Sequence, residues 1–416
     1  MNESSSHDQA TRAISSGRAA NDRGLAVPIW ATAVWESDTA EHAYDMAHSV
    51  GPDEFYSRHG NPTVSAFADA VAEIEGAEAS LAFASGMGAL ASVVFGLCST
   101  GSHIVATKQI YGTTATFLNG PVARMGIETT WVNGSEPGSM AAAVIPGRTM
   151  LVIVETPSNP LLDIVDLDEL GAIKGPFTMV DSTFATPFGQ QPIRHGVDLV
   201  LHSATKGIAG HNDATLGVVS GERELLDDIW RYGILHGASA SPFDAMLALR
   251  GIRSLDVRHE RQCNSALEIA QRLRAHSAVA EVHYPGLTDH PRHELAAAQM
   301  TRFGSVVSFQ LANGDGYASL VDKLGLVRCA TSLGGPETLI CESWTTTHSG
   351  LDEDARREIG INPGFIRMSL GLEGVEDLWN DEIRPKLKDF ASLQPGAEQP
   401  PSDSIWLKNW SHRIPV

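Results

Sequence analysis

The stretch Val197-Asp-Leu-Val-Leu-His-Ser-Ala-Thr-Lys206-Gly-Ile-Ala-Gly-His-Asn-Asp213 decides how this 416-residue chain is read. It begins as an apolar, strand-like run and turns Gly-rich and polar, with Lys206 at the junction. A lysine delivered by a buried strand to a polar, flexible margin is suited to hold an aldehyde cofactor as a Schiff base. One lysine proves nothing, so the weight falls on its companions. Glu155 and Asn159 follow one apolar run, Asp181 follows another, Ser203 and Thr205 flank the lysine, and Arg367 lies far downstream.

Outward from this stretch, short apolar runs recur at Ile104-Val-Ala106, Met150-Leu-Val-Ile-Val154, Phe177-Thr-Met-Val180 and Leu216-Gly-Val-Val219. They lack the in-out alternation of a half-exposed strand and are interleaved with helical segments. This predicts an α/β fold with a mostly parallel central sheet covered on both faces. Ligand groups then collect beyond the C-terminal strand ends, where Glu155, Asp181 and Ser203 fall. Helices are expected from Pro62 toward Ile74, over Gly86 to Leu97, and over Ser241 to His259. A smaller α/β region should follow, with a helix near Ser265 to Leu273, strands near Val279 to Tyr284 and Ser305 to Leu311, and a last helix near Val375 to Phe390. The expected organisation is an N-terminal arm (1–60), a large domain (61–250), a small C-terminal domain (251–395) and a Pro- and Ser-containing tail (396–416). An arm with few helix signals is expected to pack on a neighbouring domain or subunit.

A formal charge of −20 argues against duplex nucleic acid and anionic membrane as partners, while leaving room for local basic pockets. The four cysteines, Cys98, Cys263, Cys329 and Cys341, lack metal-ligand spacing, and no metal is expected. No basic region followed by an apolar segment opens the chain, and no apolar stretch is long enough to span a bilayer, so a soluble cytoplasmic protein is expected.

A bound phosphate needs a nest of N–H donors. Ser85-Gly86-Met87-Gly88 opens a helix after Leu81-Ala-Phe-Ala84 and can supply one, although a close-packed turn is the plainer reading of Gly-Met-Gly alone. Ser203 and Thr205 add hydroxyls, and Tyr56 and Arg58 offer a phenol and a guanidinium that elsewhere would be surface groups. Asp181 ends a buried strand, where a protonated ring nitrogen would compensate its charge; a local turn cap is the alternative. Tyr111 can stack on the same ring or simply pack in the core. Arg367, in Pro363-Gly-Phe-Ile-Arg-Met-Ser-Leu-Gly371, offers a fork for a substrate carboxylate, or else a structural ion pair. Lys108 and Lys174 lie in segments that can face solvent. His202, His211, His236 and His348 form no zinc pattern, and no Rossmann, Walker or Gly-x-Ser-x-Gly motif is present.

Tyr56-Ser-Arg-His-Gly-Asn-Pro62, Ser85-Gly-Met87, Glu155-Thr-Pro-Ser-Asn-Pro160, His202-Ser-Ala-Thr-Lys206, Gly210-His-Asn-Asp213, Ser332-Leu-Gly-Gly335 and Arg367-Met-Ser-Leu-Gly371 together resemble the Cys/Met-metabolism family of pyridoxal-phosphate enzymes over about residues 25 to 390. This transsulfuration family includes cystathionine γ-synthases, cystathionine γ-lyases and methionine γ-lyases. The resemblance implies a fold-type I, aspartate-aminotransferase-like architecture and pyridoxal 5'-phosphate as cofactor. Lys206 would be the Schiff-base lysine and Asp181 the partner of the pyridine nitrogen. Gly86, Met87, Ser203 and Thr205 would hold the phosphate, with Tyr56 and Arg58 reaching over from a neighbouring subunit of a homotetramer built from catalytic dimers. Tyr111 would stack on the ring and serve as acid or base. Asn159, Ser332 and Arg367 would hold cofactor or substrate carboxylate, and Glu155 would support the network.

The implied activity is γ-elimination or γ-replacement on a γ-substituted amino acid, most like cystathionine γ-lyase or γ-synthase. Glu337 would meet a distal ammonium, or stand in solvent. Thr113, where methionine γ-lyases carry a cysteine, speaks against a specific methionine γ-lyase. The departing segment Cys341-Glu-Ser-Trp344-Thr-Thr-Thr-His348 raises the alternative of a specialised enzyme in which Trp344 closes off space or stacks on a bulky or cationic substrate. A non-catalytic relative is the other alternative, and the intact Lys206, Asp181, Tyr111 and Arg367 count against it.

Overall fold

The computed structural model describes residues 7–391 except 22, 313–316 and 322–323; the tail expected at 396–416 lies outside the described residues. Seven strands form the first sheet: β1 (Ala79–Phe83), β2 (His103–Thr107), β3 (Glu128–Val132), β4 (Thr149–Glu155), β5 (Phe177–Asp181), β6 (Leu199–His202) and β7 (Gly217–Gly221). Their spatial order is β1-β7-β6-β5-β4-β2-β3, and only β7 runs against the rest. The mostly parallel sheet expected from the apolar runs is therefore present. Two of its strands were not singled out from sequence. β3, Glu-Thr-Thr-Trp-Val, is an edge strand with no fully buried residue, and β1, Ala-Ser-Leu-Ala-Phe, is half-buried except at Phe83, so neither reads as a continuously buried run.

The continuous burial of the central strands has a physical cause on each face. Ile104, Ala106, Leu151, Ile153, Met179 and Leu199 point into one core with Leu90, Val93 and Val94 of the helix Gly86–Leu97. The alternate residues Val105, Val152, Val154 and Val180 point the other way, against Leu167 and Leu170. Side chains two apart share a face, so both registers must be apolar when helices cover both sides. Each fully buried aliphatic side chain contributes roughly 1.5–3 kcal/mol.

Helix starts follow local chemistry. Asn61 caps Pro62–Glu75, Pro62 occupies the first turn, and Gly76 closes the helix at φ 76°. Ser85 caps Gly86–Leu97 by accepting from the Gly88 N–H at 3.0 Å. The single helix expected over Ser241 to His259 is instead two, Pro242–Ile252 and Leu255–Arg274. The break falls at Ser254, which leaves helical geometry at φ −117° and ψ 7°. Gly251, in the last turn of the first helix, packs so close to the loop after Lys206 that a Cβ there would sit 2.2 Å from the Ala209 carbonyl oxygen.

The second sheet comprises β8 (Val279–His283), β9 (Val306–Leu311), β10 (Arg328–Cys329), β11 (Leu339–Glu342) and β12 (Phe365–Ser369), ordered β10-β11-β12-β9-β8 and antiparallel except for the β10 and β11 pair. Ile366 and Met368 of β12 face a core with Ile269 and Leu273, while Arg367, between them, faces the first sheet and the site. The final helical run is not uniform: Val375–Asp377 and Arg384–Ala391 are joined by a wider turn at Leu378–Ile383.

The arm carries two short helices that were not expected, Gln9–Ser15 and Ala40–His48, capped by Asp8 and Thr39. Gln9 Nε2 anchors the first by donating to the carbonyls of Ile74 (2.7 Å) and Pro187 (2.6 Å). Beyond it the chain is extended and apolar groups stand in solvent, with Leu25 86% and Val34 61% exposed. No helix among the described residues is long and apolar enough to cross a membrane.

Candidate active site

The C-terminal ends of β4, β5 and β6 deliver three groups to one place. Glu155 and Asp181 are register partners on neighbouring strands, and β6 leads through Ser203 to Lys206. A cavity of about 300 Å³ opens there, lined by Gly86, Met87, Tyr111, Glu155, Asn159, Asp181, Ser203, Thr205, Lys206, Ser332 and Arg367 among others. Eleven of the fifteen residues picked from sequence are thus brought together; the other four are not. Tyr56, 41% exposed, and Arg58, which donates to the Ile234 carbonyl at 2.9 Å, stand outside this chain's cavity. Glu337 accepts from Asn212 Nδ2 at 2.8 Å and does not line the cavity. Trp344 does not line it either. The Arg356 and Arg357 guanidinium carbons lie 4.0 and 5.0 Å from its ring centroid, so the face expected for a cationic substrate is already taken by the chain's own cations.

Lys206 is held at both ends. Its backbone turns tightly, with the Gly210 N–H donating to the Lys206 carbonyl at 2.8 Å, and its Nζ donates to Ser332 Oγ at 2.7 Å. Ser332 adopts φ 87°, unusual for a residue with a side chain. The following Gly334 lets this loop close on the lysine, since a Cβ there would lie 2.5 Å from Gly207 N. Burial, and secondarily the Arg367 guanidinium, bring the Lys206 ammonium down to about 8.

Arg367 donates through Nη1 to Asn159 Oδ1 (3.1 Å) and through Nη2 to the Ser332 carbonyl (2.9 Å), and its buried Nε has no partner among the described residues. Both oxygens of Glu155 accept backbone N–H groups at 2.7 Å, from Tyr111 and from Asn159. Burial and the neighbouring Asp181 hold the Glu155 carboxyl well above the usual range, against the pull of those two donors and Arg367. Asp181 is also raised, by burial, with Thr183 and His202 opposing.

Thr183 is the functional neighbour that the sequence reading missed. Its N–H and hydroxyl both bond Asp181 Oδ1, at 3.1 and 2.5 Å, and its Oγ1 accepts from the Ser203 N–H at 2.8 Å. The Asp-x-Thr spacing after a strand is a turn signal that points to such a pairing. Thr347, Thr331, Leu333 and Phe184 also line the cavity; they come from loops with no periodic signature.

This donor set fits a ring that carries a phosphate and a basic nitrogen. Asp181 spends one oxygen on Thr183, and the other carries no hydrogen bond among the described residues. Gly86 begins a helix directly against Ser203, where a Cβ would come within 3.0 Å of the serine's own Cβ, so backbone N–H groups and hydroxyls converge in one corner. An amine of lowered basicity, that of Lys206, lines the same cavity. Fold and site together define a pyridoxal-phosphate-dependent enzyme.

Comparison with known proteins agrees. The family model described as "Cys/Met metabolism PLP-dependent enzyme" matches residues 10–384. The chain is 39% identical over 379 residues to an L-methionine gamma-lyase of Fusobacterium nucleatum, covering 89% of this chain and 96% of that one. It is 38% identical over 362 residues to a cystathionine beta-lyase of Lactococcus lactis, covering 86% and 92%. The crystal structure of cystathionine gamma synthase from Xanthomonas oryzae pv. oryzae in complex with aminoacrylate and cysteine superposes with a TM-score of 0.87 at 35% identity, covering 93% of this chain and all of that one. The chain belongs to the Cys/Met metabolism family of pyridoxal-phosphate-dependent enzymes. Its chemistry is of the γ-elimination and γ-replacement kind.

Proposed function

We propose that this enzyme eliminates a small, uncharged γ-substituent from an L-amino acid, with a methylthio group as the fitting case. One observation carries the choice: the charged side chains lining the cavity are Glu155, Asp181, Lys206 and Arg367, and each is committed to the cofactor or to the amino-acid head. The remaining wall is apolar or hydroxylic, including Ile110, Leu333, Phe184, Thr114 and Thr347, and offers no ion to a second ammonium or carboxylate at the far end. A buried charge without a partner is disfavoured by several kcal/mol, which a thioether methyl avoids (on the order of that cost).

When bound, pyridoxal phosphate supplies an electron sink for the pair left at the substrate's α carbon. The chain's own groups do the rest. Asp181 would hold the pyridine nitrogen protonated, and the corner formed by Gly86, Met87, Ser203 and Thr205 would take the phosphate. Arg367 receives the substrate α-carboxylate, its fork aimed by Asn159 and the Ser332 carbonyl. Lys206, with basicity near neutral pH, takes the α proton and returns protons along the substrate, steadied between transfers by Ser332 Oγ. Tyr111, 39% exposed, has its backbone pinned by Glu155; its ring would pack against the cofactor and its phenol would serve the departing γ group. The exposed Tyr56 and Arg58 fit the reading that the arm completes the cavity of a neighbouring copy, within a cytoplasmic homotetramer of catalytic dimers.

The test is product analysis of the pyridoxal-phosphate holoenzyme with methionine, cystathionine and O-succinylhomoserine, each with and without added cysteine. The expected outcome is 2-oxobutanoate, ammonia and methanethiol from methionine, independent of added thiol and at the highest kcat/KM of the panel. A preference for either charged substrate would overturn the charge argument. A product formed only when cysteine is added would make the enzyme a γ-replacement catalyst instead.

A further inference from the structure

Arg258 is 6% exposed and carries a charge that no carboxylate answers among the described residues. The neighbouring Asp256 is engaged by Arg302 at 2.6 Å. Arg258 instead spends its donors on neutral oxygens: Nη1 on the Gly207 carbonyl (3.1 Å), Nη2 on the carbonyls of Gly251 (2.8 Å) and Ile208 (3.4 Å), and Nε on Ser254 Oγ (3.1 Å). Gly207 and Ile208 are the two residues that follow Lys206. Gly251 and Ser254 are the broken junction between the helices Pro242–Ile252 and Leu255–Arg274.

The fit is close on every side. A Cβ on Gly210 would lie 1.9 Å from Arg258 Nη1, and one on Gly251 would collide with the Ala209 and Ile208 carbonyl oxygens. Burying an ion without a counter-ion is costly, and a neutral side chain of similar length would fill this space without that cost. Among the described residues, three backbone carbonyls and the Ser254 hydroxyl compensate the guanidinium. The arrangement therefore makes sense where a cation and a rigid, planar set of donors are both needed at this turn.

We propose that Arg258 is a positioning residue for Lys206: it clamps the turn after the lysine to the helix junction, so the lysine's backbone stays fixed while its amine moves between Ser332 and the reacting carbons. This role rests on Lys206 being the lysine that binds pyridoxal phosphate, so the experiment separates the two.

Holoenzymes carrying Arg258→Met, Arg258→Lys and Ser254→Ala are compared with wild type and Lys206→Ala. Measured are the visible absorbance of the bound cofactor against pH, kcat and KM for methionine, and the melting temperature. If Arg258 positions the lysine, Arg258→Met lowers kcat about tenfold or more with KM changed less than about threefold. It also moves the pH of the spectral transition, because a displaced lysine leaves its place beside Ser332 Oγ and Arg367. Arg258→Lys, which keeps the charge and loses the fork, fully restores neither the spectral transition nor kcat. Ser254→Ala, which removes one acceptor and leaves the cation in place, lowers kcat by a smaller factor with the transition unmoved. Should Arg258→Met fail to fold, the Arg258→Lys and Ser254→Ala results decide alone. Variants that lose activity only in proportion to lost folded protein, with spectral transition and kcat per bound cofactor unchanged, overturn the proposal. A visible, lysine-type band that survives in Lys206→Ala overturns the underlying assignment of the lysine instead.

Discussion

Replacing Glu155 with Gln tests whether this buried carboxyl works as a two-handed brace. Each of its oxygens accepts one backbone N–H at 2.7 Å, from Tyr111 and from Asn159. Gln retains one acceptor and turns a donor toward the other N–H, so one buried amide is left without a partner. The cost of such an orphan is about 1–3 kcal/mol. Whichever amide is released, the site loosens: Tyr111 loses its anchor, or Asn159 loses the one that aims its Oδ1 at Arg367. A loss of about 1.4 kcal/mol in the transition state is tenfold in kcat/KM.

The pH dependence sharpens the test. Because the Glu155 pKa is raised in the folded protein above its ordinary 4.5, folded Glu155 binds its proton more tightly than the unfolded chain does. Its contribution favours the folded state at low pH and is lost as pH rises from about 4.5 through the raised value. Gln cannot titrate, so the stability gap between wild type and Glu155→Gln should be wider at pH 5 than at pH 8. Urea unfolding of the holoenzymes at both values, with methionine turnover measured in parallel, reads all three effects. Equal stability at both pH values together with unchanged turnover would refute the brace.

Two further outcomes are expected. The rate at which apoenzyme takes up pyridoxal phosphate, followed by visible absorbance, should climb with pH and level off above about 8, as the Lys206 ammonium loses its proton; because Arg367 contributes to the depression, Arg367→Met should move the inflection to higher pH. Trp344→Ala should lower stability by about 1–2 kcal/mol through loss of the Arg356 and Arg357 stacking, measured by urea unfolding, while leaving the ranking of uncharged over charged substrates unchanged.

The N-terminal half of the site was legible because its groups announce themselves locally. β4, β5 and β6 are mostly apolar runs that end in polar residues, and the end of each run must lie at the sheet's C-terminal edge, which places Glu155, Asp181 and Ser203 without any long-range contact. Ser85 and Gly86 were legible for the same reason, as a cap and helix start that the chain specifies within four residues. Thr183 was passed over because a hydroxyl two residues after an aspartate is common in ordinary turns. Its value appears only when Ser203, twenty residues on, presents an N–H to it.

What the sequence determined by itself was the alternation of buried runs and helices, hence the parallel sheet, and the lysine at its edge with the residue types that suit a phosphate-bearing ring. What only the tertiary structure decided was which distant side chains meet. The second sheet brings Arg367 and Ser332 onto Lys206 across more than a hundred residues of chain, while Trp344 is covered by Arg356 and Arg357 and Glu337 is turned to Asn212. Periodicity is a property of neighbours along the chain and is set by burial on one or two faces. Contact between remote loops depends on how two separate sheets pack, and on backbones that close only where Gly207, Gly251 and Gly334 leave room.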